Sequence, residues 1–168
     1  MQRRLLLSGM VSTVALGLSA CGFALRQAPN FAFKTLYSSQ SESSPLGVEL
    51  KRSLQANGNV QVISDARQID RADVILDVLS DAREKVVVGV NASGQVREFQ
   101  LRIRFRFKLR TLKGKELIPE TELVLQRDIS FNESAVLAKE AEEGLLYRDM
   151  QSDIVQQIMR RLAAVTEI

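Results

Sequence analysis

The sequence predicts an α+β fold: a mixed, mostly antiparallel sheet of four to five strands with two helices packed on one face. Three observations carry this. Within residues 95–112, positions 99–110 alternate apolar and polar side chains without a break, residues 134–165 carry an apolar stripe at intervals of four, and turn-forming clusters divide the segments between them. Strands followed by a long helix indicate α+β rather than an alternating parallel fold.

Taken in order, Phe31-Ala32-Phe33-Lys34-Thr35-Leu36-Tyr37 alternates and is aromatic, as a first strand does. Ser38 to Ser44 is a polar loop. Ser44 is placed as an N-cap with Pro45 at the first helical position, and Leu46, Leu50 and Leu54 recur on one face before Gly58. The helix expected there spans 45–57. Val60 to Ile63 gives a second strand, and strand–helix–strand at this spacing predicts a right-handed crossover and a parallel pair. Residues 65–72 form a polar connection. Residues 73–90 read as a long strand bent near Arg83-Glu84.

Asn91-Ala92-Ser93-Gly94 makes a turn into the clearest strand. There Phe99, Leu101, Ile103, Phe105, Phe107 and Leu109 occupy odd positions, and Gln100, Arg102, Arg104, Arg106, Lys108 and Arg110 occupy even ones. A period of two sends the two sets to opposite faces. Lys113-Gly114-Lys115 turns the chain into a further strand ending near Phe131. In the last helix Leu146, Met150, Ile154, Ile158 and Leu162 form the stripe, Val155 and Met159 widen it, and Gly144 is placed to bend it.

The chain has 168 residues, 45% hydrophobic and 26% charged, enough for one domain with its own core. It has no histidine, no tryptophan and one cysteine. A Ser-His-Asp or Cys-His arrangement is impossible, and so is a His- or Cys-rich metal site. Scattered Asp and Glu residues do not by themselves make an acid–base pair. The expectation is a protein that is not an enzyme and has no cofactor.

Arg3 and Arg4, the apolar run from Leu5 to Leu18, and Leu18-Ser19-Ala20-Cys21 describe a secretory leader. Leu-Ser-Ala-Cys also resembles the bacterial lipobox, which implies acylation of the Cys21 sulfur and cleavage before it. The domain plan is then a signal peptide at 1–20, a lipid-anchored tether at 21–30 and one folded domain at 31–168. Removing the leader leaves 21 basic and 20 acidic residues, so a partnership with nucleic acid is not indicated. Gly22 follows the cysteine. The aspartate that resembles an inner-membrane retention signal is absent there, which implies the outer membrane.

Cys21-Gly22-Phe23-Ala24-Leu25-Arg26 resembles the start of the LPS-assembly lipoprotein, the LptE family. Leu50 to Gly58, Arg97-Glu98-Phe99-Gln100-Leu101 and Leu137-Ala138-Lys139-Glu140 are similar to further stretches of that family, in the same order. The resemblance implies a lipoprotein that plugs and supports folding of a large outer-membrane β-barrel, LptD, and contacts lipopolysaccharide on its way to the outer leaflet. A periplasm-facing accessory lipoprotein of another transport or secretion complex is the alternative.

Four cations are candidates for lipopolysaccharide contact. Arg102, Arg104 and Arg106, with Lys108 and Arg110 beside them, share one strand face, and arginine forks match phosphate. The competing reading is cross-strand pairing at about 0.2–1 kcal/mol per pair. Pairing Val90 with Gln95 sets Asp81 opposite Arg104 and Asp77 opposite Lys108. On the other side Glu122 falls opposite Arg106 and Gln100 opposite Asp128, while Arg102 and Arg110 find no acid. Lys139, the fourth candidate, is matched to the family's Leu-Ala-Lys segment; its other reading is a surface lysine. Phe23 and Leu25 are candidates for membrane or barrel contact, or belong to a disordered tether.

Overall fold

The computed structural model describes residues 29–41, 43–58 and 60–168. Its elements are β1 (Thr35–Ser38), α1 (Pro45–Gly58), β2 (Gln61–Ile63), a 3-10 turn (Ala66–Arg71), β3 (Val74–Val90), β4 (Val96–Thr111), β5 (Glu116–Ser130), a 3-10 turn (Glu133–Ala135) and α2 (Val136–Ala163). The strands form one mixed sheet in the order β2-β1-β3-β4-β5. β1 is parallel to β2 and β3, and the remaining pairs are antiparallel. The expected α+β architecture is the one observed.

Local chemistry sets the element ends. Ser44 Oγ accepts the Gly47 N–H at 3.2 Å and caps α1, with Pro45 in the first turn. Gly94 and Gly114 hold φ of 79° and 90° at the two hairpin turns, a region that disfavours side chains with a Cβ. β1 is shorter than the expected 31–37. The Asp73 carboxylate takes the N–H groups of Lys34 and Thr35, both at 2.9 Å, so a side chain rather than a neighbouring strand satisfies the backbone there. Phe33, just before the strand, is still buried, with its ring 5.4 Å from that of Phe31.

Partial burial pushes the Asp73 carboxyl up, but the N–H groups of Lys34 and Thr35, the Thr35 hydroxyl and the Lys34 charge outweigh it and hold the pKa below the ordinary value. A depressed folded pKa gives stability that is present above the unfolded value and lost as pH falls through the folded one. Asp73→Asn is therefore expected to cost about 1–2 kcal/mol near neutral pH, since charge-assisted bonds at a wet site are discounted by solvent. The difference should shrink in urea titrations as the pH falls below the ordinary aspartate value and through the lower folded one.

One irregularity decides which residues face the helices. Asp77 stands opposite Lys108 and Val78 opposite Phe107 as expected, although the hairpin itself pairs Val90 with Val96 and not with Gln95. Leu79 is then an extra residue. Beyond it Ser80 meets Arg106 and Asp81 meets Phe105, not Arg104. The bend expected at Arg83-Glu84 is thus a bulge at Leu79. A one-residue slip exchanges the faces of a strand. Asp81, Arg83 and Lys85 turn to the helix side, opposite Phe105, Ile103 and Leu101. Asp81 accepts from Ser44 Oγ (2.6 Å) and Gln40 Nε2 (2.9 Å), tying the bulge to the start of α1.

The core lies between the sheet and both helices. Leu101, Ile103, Phe105, Phe107 and Leu109 of β4 meet Leu46, Leu50 and Leu54 of α1 and the Met150, Ile154, Ile158 and Leu162 stripe of α2. Gln151 is the buried polar side chain among the described residues. Its amide donates to Glu49 Oε2 at 2.6 Å and to the Pro45 carbonyl at 3.3 Å, and its oxygen accepts from Arg83 at 2.6 Å. Full satisfaction is what makes a buried amide tolerable. The opposite face is wet along the long strands but not at the short-strand end. There Ile63 and Ile75 are buried on either side of Tyr37, and the 3-10 turn Ala66–Arg71 touches β1 and β2.

Candidate functional site

The candidate site is the uncovered face of β3–β4–β5. Alternation along β4 brings Arg102, Arg104, Arg106, Lys108 and Arg110 to this face, because their odd-numbered neighbours are buried against the helices. The cations are treated unequally by their surroundings. Arg104 is bracketed by Glu84 (Nε to Oε1, 3.7 Å) and Glu122 (Nη1 to Oε1, 3.3 Å). Arg106 reaches Glu120 at 3.3 Å. Arg110 donates through Nε to Asp77 at 2.7 Å, and this bond, stronger than the opposing effect of burial, raises the guanidinium pKa.

Several expected pairings are corrected by this geometry. Asp81 does not meet Arg104, because the Leu79 bulge carries it to the other face. Arg110 does have an acid, Asp77, which reaches diagonally past its register partner Lys108. Glu122 lies opposite Arg106 as expected but forms its ion pair with Arg104. Gln100 meets Asp128 as expected and donates to it at 2.9 Å.

Two cations of the row remain without a carboxylate. Arg102 donates from Nε (2.7 Å) and Nη2 (2.5 Å) to the neutral Gln100 oxygen. Lys108 forms no ion pair among the described residues, its opposite acid being held by Arg110. Glu84 and Glu120, the acids that sequence reasoning missed, are found only once the bulge and the diagonal contacts are known.

Lys139 is not brought into the row. It stands on α2, which covers the other face, and its Nζ reaches Ser130 Oγ (3.0 Å) and Glu142 Oε2 (2.9 Å). Cys21, Phe23 and Leu25 lie outside the described residues.

Among the described residues an enclosed cavity of about 240 Å³ lies between α1, β1 and β2, walled by Leu36, Leu50, Leu54 and Val62, with Lys51 as its ionisable group and no reactive constellation. Among the described residues no three Asp, Glu or Cys side chains are grouped to hold a metal ion, and no helix is long and apolar enough to cross a membrane. What the face can do is hold anions and complementary polar surfaces.

Comparison with known proteins gives this surface a context. A family model described as LptE, lipopolysaccharide-assembly, matches residues 33–162. The LPS-assembly lipoprotein LptE of Yersinia pestis (strain Pestoides F) is 27% identical over 166 residues, covering 97% of this chain and 78% of the relative. An uncharacterized lipoprotein B from Nitrosomonas europaea, solved in solution, superimposes with a TM-score of 0.72 at 34% identity, covering 86% of this chain and 92% of that one. The rare lipoprotein B from Shewanella oneidensis has the same fold, with a TM-score of 0.62 at 23% identity over 77% of this chain and 94% of that one. The match spans both helices and the whole sheet, so the chain belongs to the LptE family and its role lies in lipopolysaccharide assembly.

Proposed function

We propose that this chain is an outer-membrane lipoprotein, anchored through Cys21, that plugs an LptD-type β-barrel, supports its folding and helps deliver lipopolysaccharide to the outer leaflet. The observation that carries the reading is the uncovered sheet face. It is long, densely charged and internally neutralised, except at Arg102 and Lys108. Paired charges stay soluble before assembly and present hydrogen-bonding edges to a polar barrel lumen. No bond is made or broken in this role.

Affinity capture of the native chain from detergent-solubilised outer membranes tests it. Co-purification of one large β-barrel protein supports the reading. Recovery of inner-membrane transport components in its place supports an accessory role in another complex and removes the plug.

Within that reading, lipopolysaccharide phosphates are expected at the unpaired cations. Arg104 and Arg106 would have to leave their glutamates first, and Lys139 its serine and glutamate. Reversing Arg102, Arg104 and Arg106 together would set new glutamates against Glu84, Glu120 and Glu122 and disturb the fold. Neutral single changes are cleaner. Arg102→Gln and Lys108→Gln should each weaken lipopolysaccharide binding about fivefold, near 1 kcal/mol for an exposed contact. Arg104→Gln and Arg106→Gln should change it less than twofold. Equal losses at all four positions, or none, in surface-plasmon titrations would remove the assignment.

A further inference from the structure

Helix α2 changes character along its own inward row. All of its buried residues lie between Met150 and Leu162, and none lies between Val136 and Asp149. Between Val136 and Gly144 the inward positions are Lys139 and Glu143, half-buried and charged, in step with Leu146, Tyr147 and the buried apolar positions that follow. Their partners on the sheet are polar too. Glu143 Oε2 accepts from Lys85 Nζ at 2.6 Å, and Lys139 Nζ donates to Ser130 Oγ at 3.0 Å. Lys85 faces the helix only because of the Leu79 bulge.

An open groove of about 300 Å³ runs along the side of this half-helix, lined by Lys85, Glu140, Glu143, Gly144 and Tyr147. A Cβ at Gly144 would meet nothing within 4 Å, so packing does not require the glycine. Its interior position still costs about 1 kcal/mol of helix stability relative to alanine. Exposed ion pairs give back about 0–1 kcal/mol and are screened by salt.

We infer that Val136–Gly144 is a hinged flap on the sheet, latched by Lys85 to Glu143 and Lys139 to Ser130 and pivoting at Gly144. It opens while Met150–Leu162 stays docked, because local opening free energies follow buried apolar contact. Opening releases Lys85, whose ammonium lies 4.4 Å from the centre of the Phe99 ring, while Phe131 stays against that ring at 5.3 Å. The flap is therefore a charge-latched hold on Lys85 beside Phe99.

Hydrogen exchange read by mass spectrometry on the intact lipoprotein in detergent tests this. Amides of Glu140–Gly144 should exchange at least about a hundredfold faster than those of Ile154–Leu162, the difference between a locally opening segment and the core. Raising NaCl from about 0.05 M to about 1 M should speed the first set and leave the second unchanged. Glu143→Gln should speed it about threefold, as loss of one exposed ion pair does. Gly144→Ala should slow it about fivefold. A merely frayed helix end would respond to Gly144→Ala but to neither salt nor Glu143→Gln, and that outcome overturns the latch. Equal protection of the two segments overturns the flap.

Discussion

Phe105→Ala is expected to destabilise the folded domain by about 3–5 kcal/mol, the range for removing a fully buried ring. Phe105 is wholly inaccessible, sits in the interior strand β4, and has its ring centre 5.8 Å from that of Phe107. It lies between Asp81 on β3 and Leu123 on β5, so the surrounding wall is made by three strands that cannot all move in to fill the space. A loss of this size is a large part of the 5–15 kcal/mol that holds most domains together. Urea unfolding of a form starting at Gly22 should show the midpoint falling with the slope unchanged. Val124→Ala, on the exposed outer face of β5, should change the midpoint little. If the two variants unfold at the same urea concentration, the division of the sheet into a core face and a wet face is wrong.

That division was legible in the sequence because β4 states it eleven times over. Each odd residue from Phe99 to Leu109 is apolar and each even residue is polar or cationic, and only one strand orientation satisfies both sets. The helices were legible for a related reason. Leu46, Leu50 and Leu54, and then Met150, Ile154, Ile158 and Leu162, leave a single inward face.

The bulge at Leu79 was not legible. Val78-Leu79 is an apolar pair flanked by Asp77 and Ser80, so neither register is penalised by the local pattern. What selects the bulge is distant: Ser44 and Gln40 waiting for Asp81, Gln151 waiting for Arg83, and Glu143 waiting for Lys85. These partners are contributed by a loop and a helix that a strand-by-strand reading treats separately. The same blindness explains the candidate site. That five cations share a face follows from period two, but which of them are neutralised depends on diagonal contacts such as Arg110 to Asp77 and Arg106 to Glu120. Register partners alone would have assigned Asp77 to Lys108. Likewise the inward row of α2 reads as one amphipathic face until the sheet beneath it is known to end in Lys85 and Ser130 rather than in apolar side chains.

An exported form of the chain that begins at Gly22, without Cys21, is expected to leave the membrane fraction for the soluble periplasm when made in excess of its partner. Among the described residues no helix can cross a bilayer, and the exposed sheet face carries ion pairs that would be costly to desolvate. The proposed attachment rests on acyl chains at Cys21. Each buried methylene contributes about 0.8 kcal/mol, and while one chain binds only marginally, two or three on the same residue make release negligible. The wild-type chain should then stay in the pellet through high-salt washing and show an intact mass raised by the lipid on a cleaved Cys21. Confinement to the membrane plane also matters for the proposed work, because a tethered plug meets a barrel at an effective concentration that a free periplasmic protein does not reach. Should the Gly22 form sediment as completely as the wild type with no barrel partner present, or should native Cys21 prove to be a free thiol, membrane attachment must lie in the folded domain instead, and the charged face would need a different explanation.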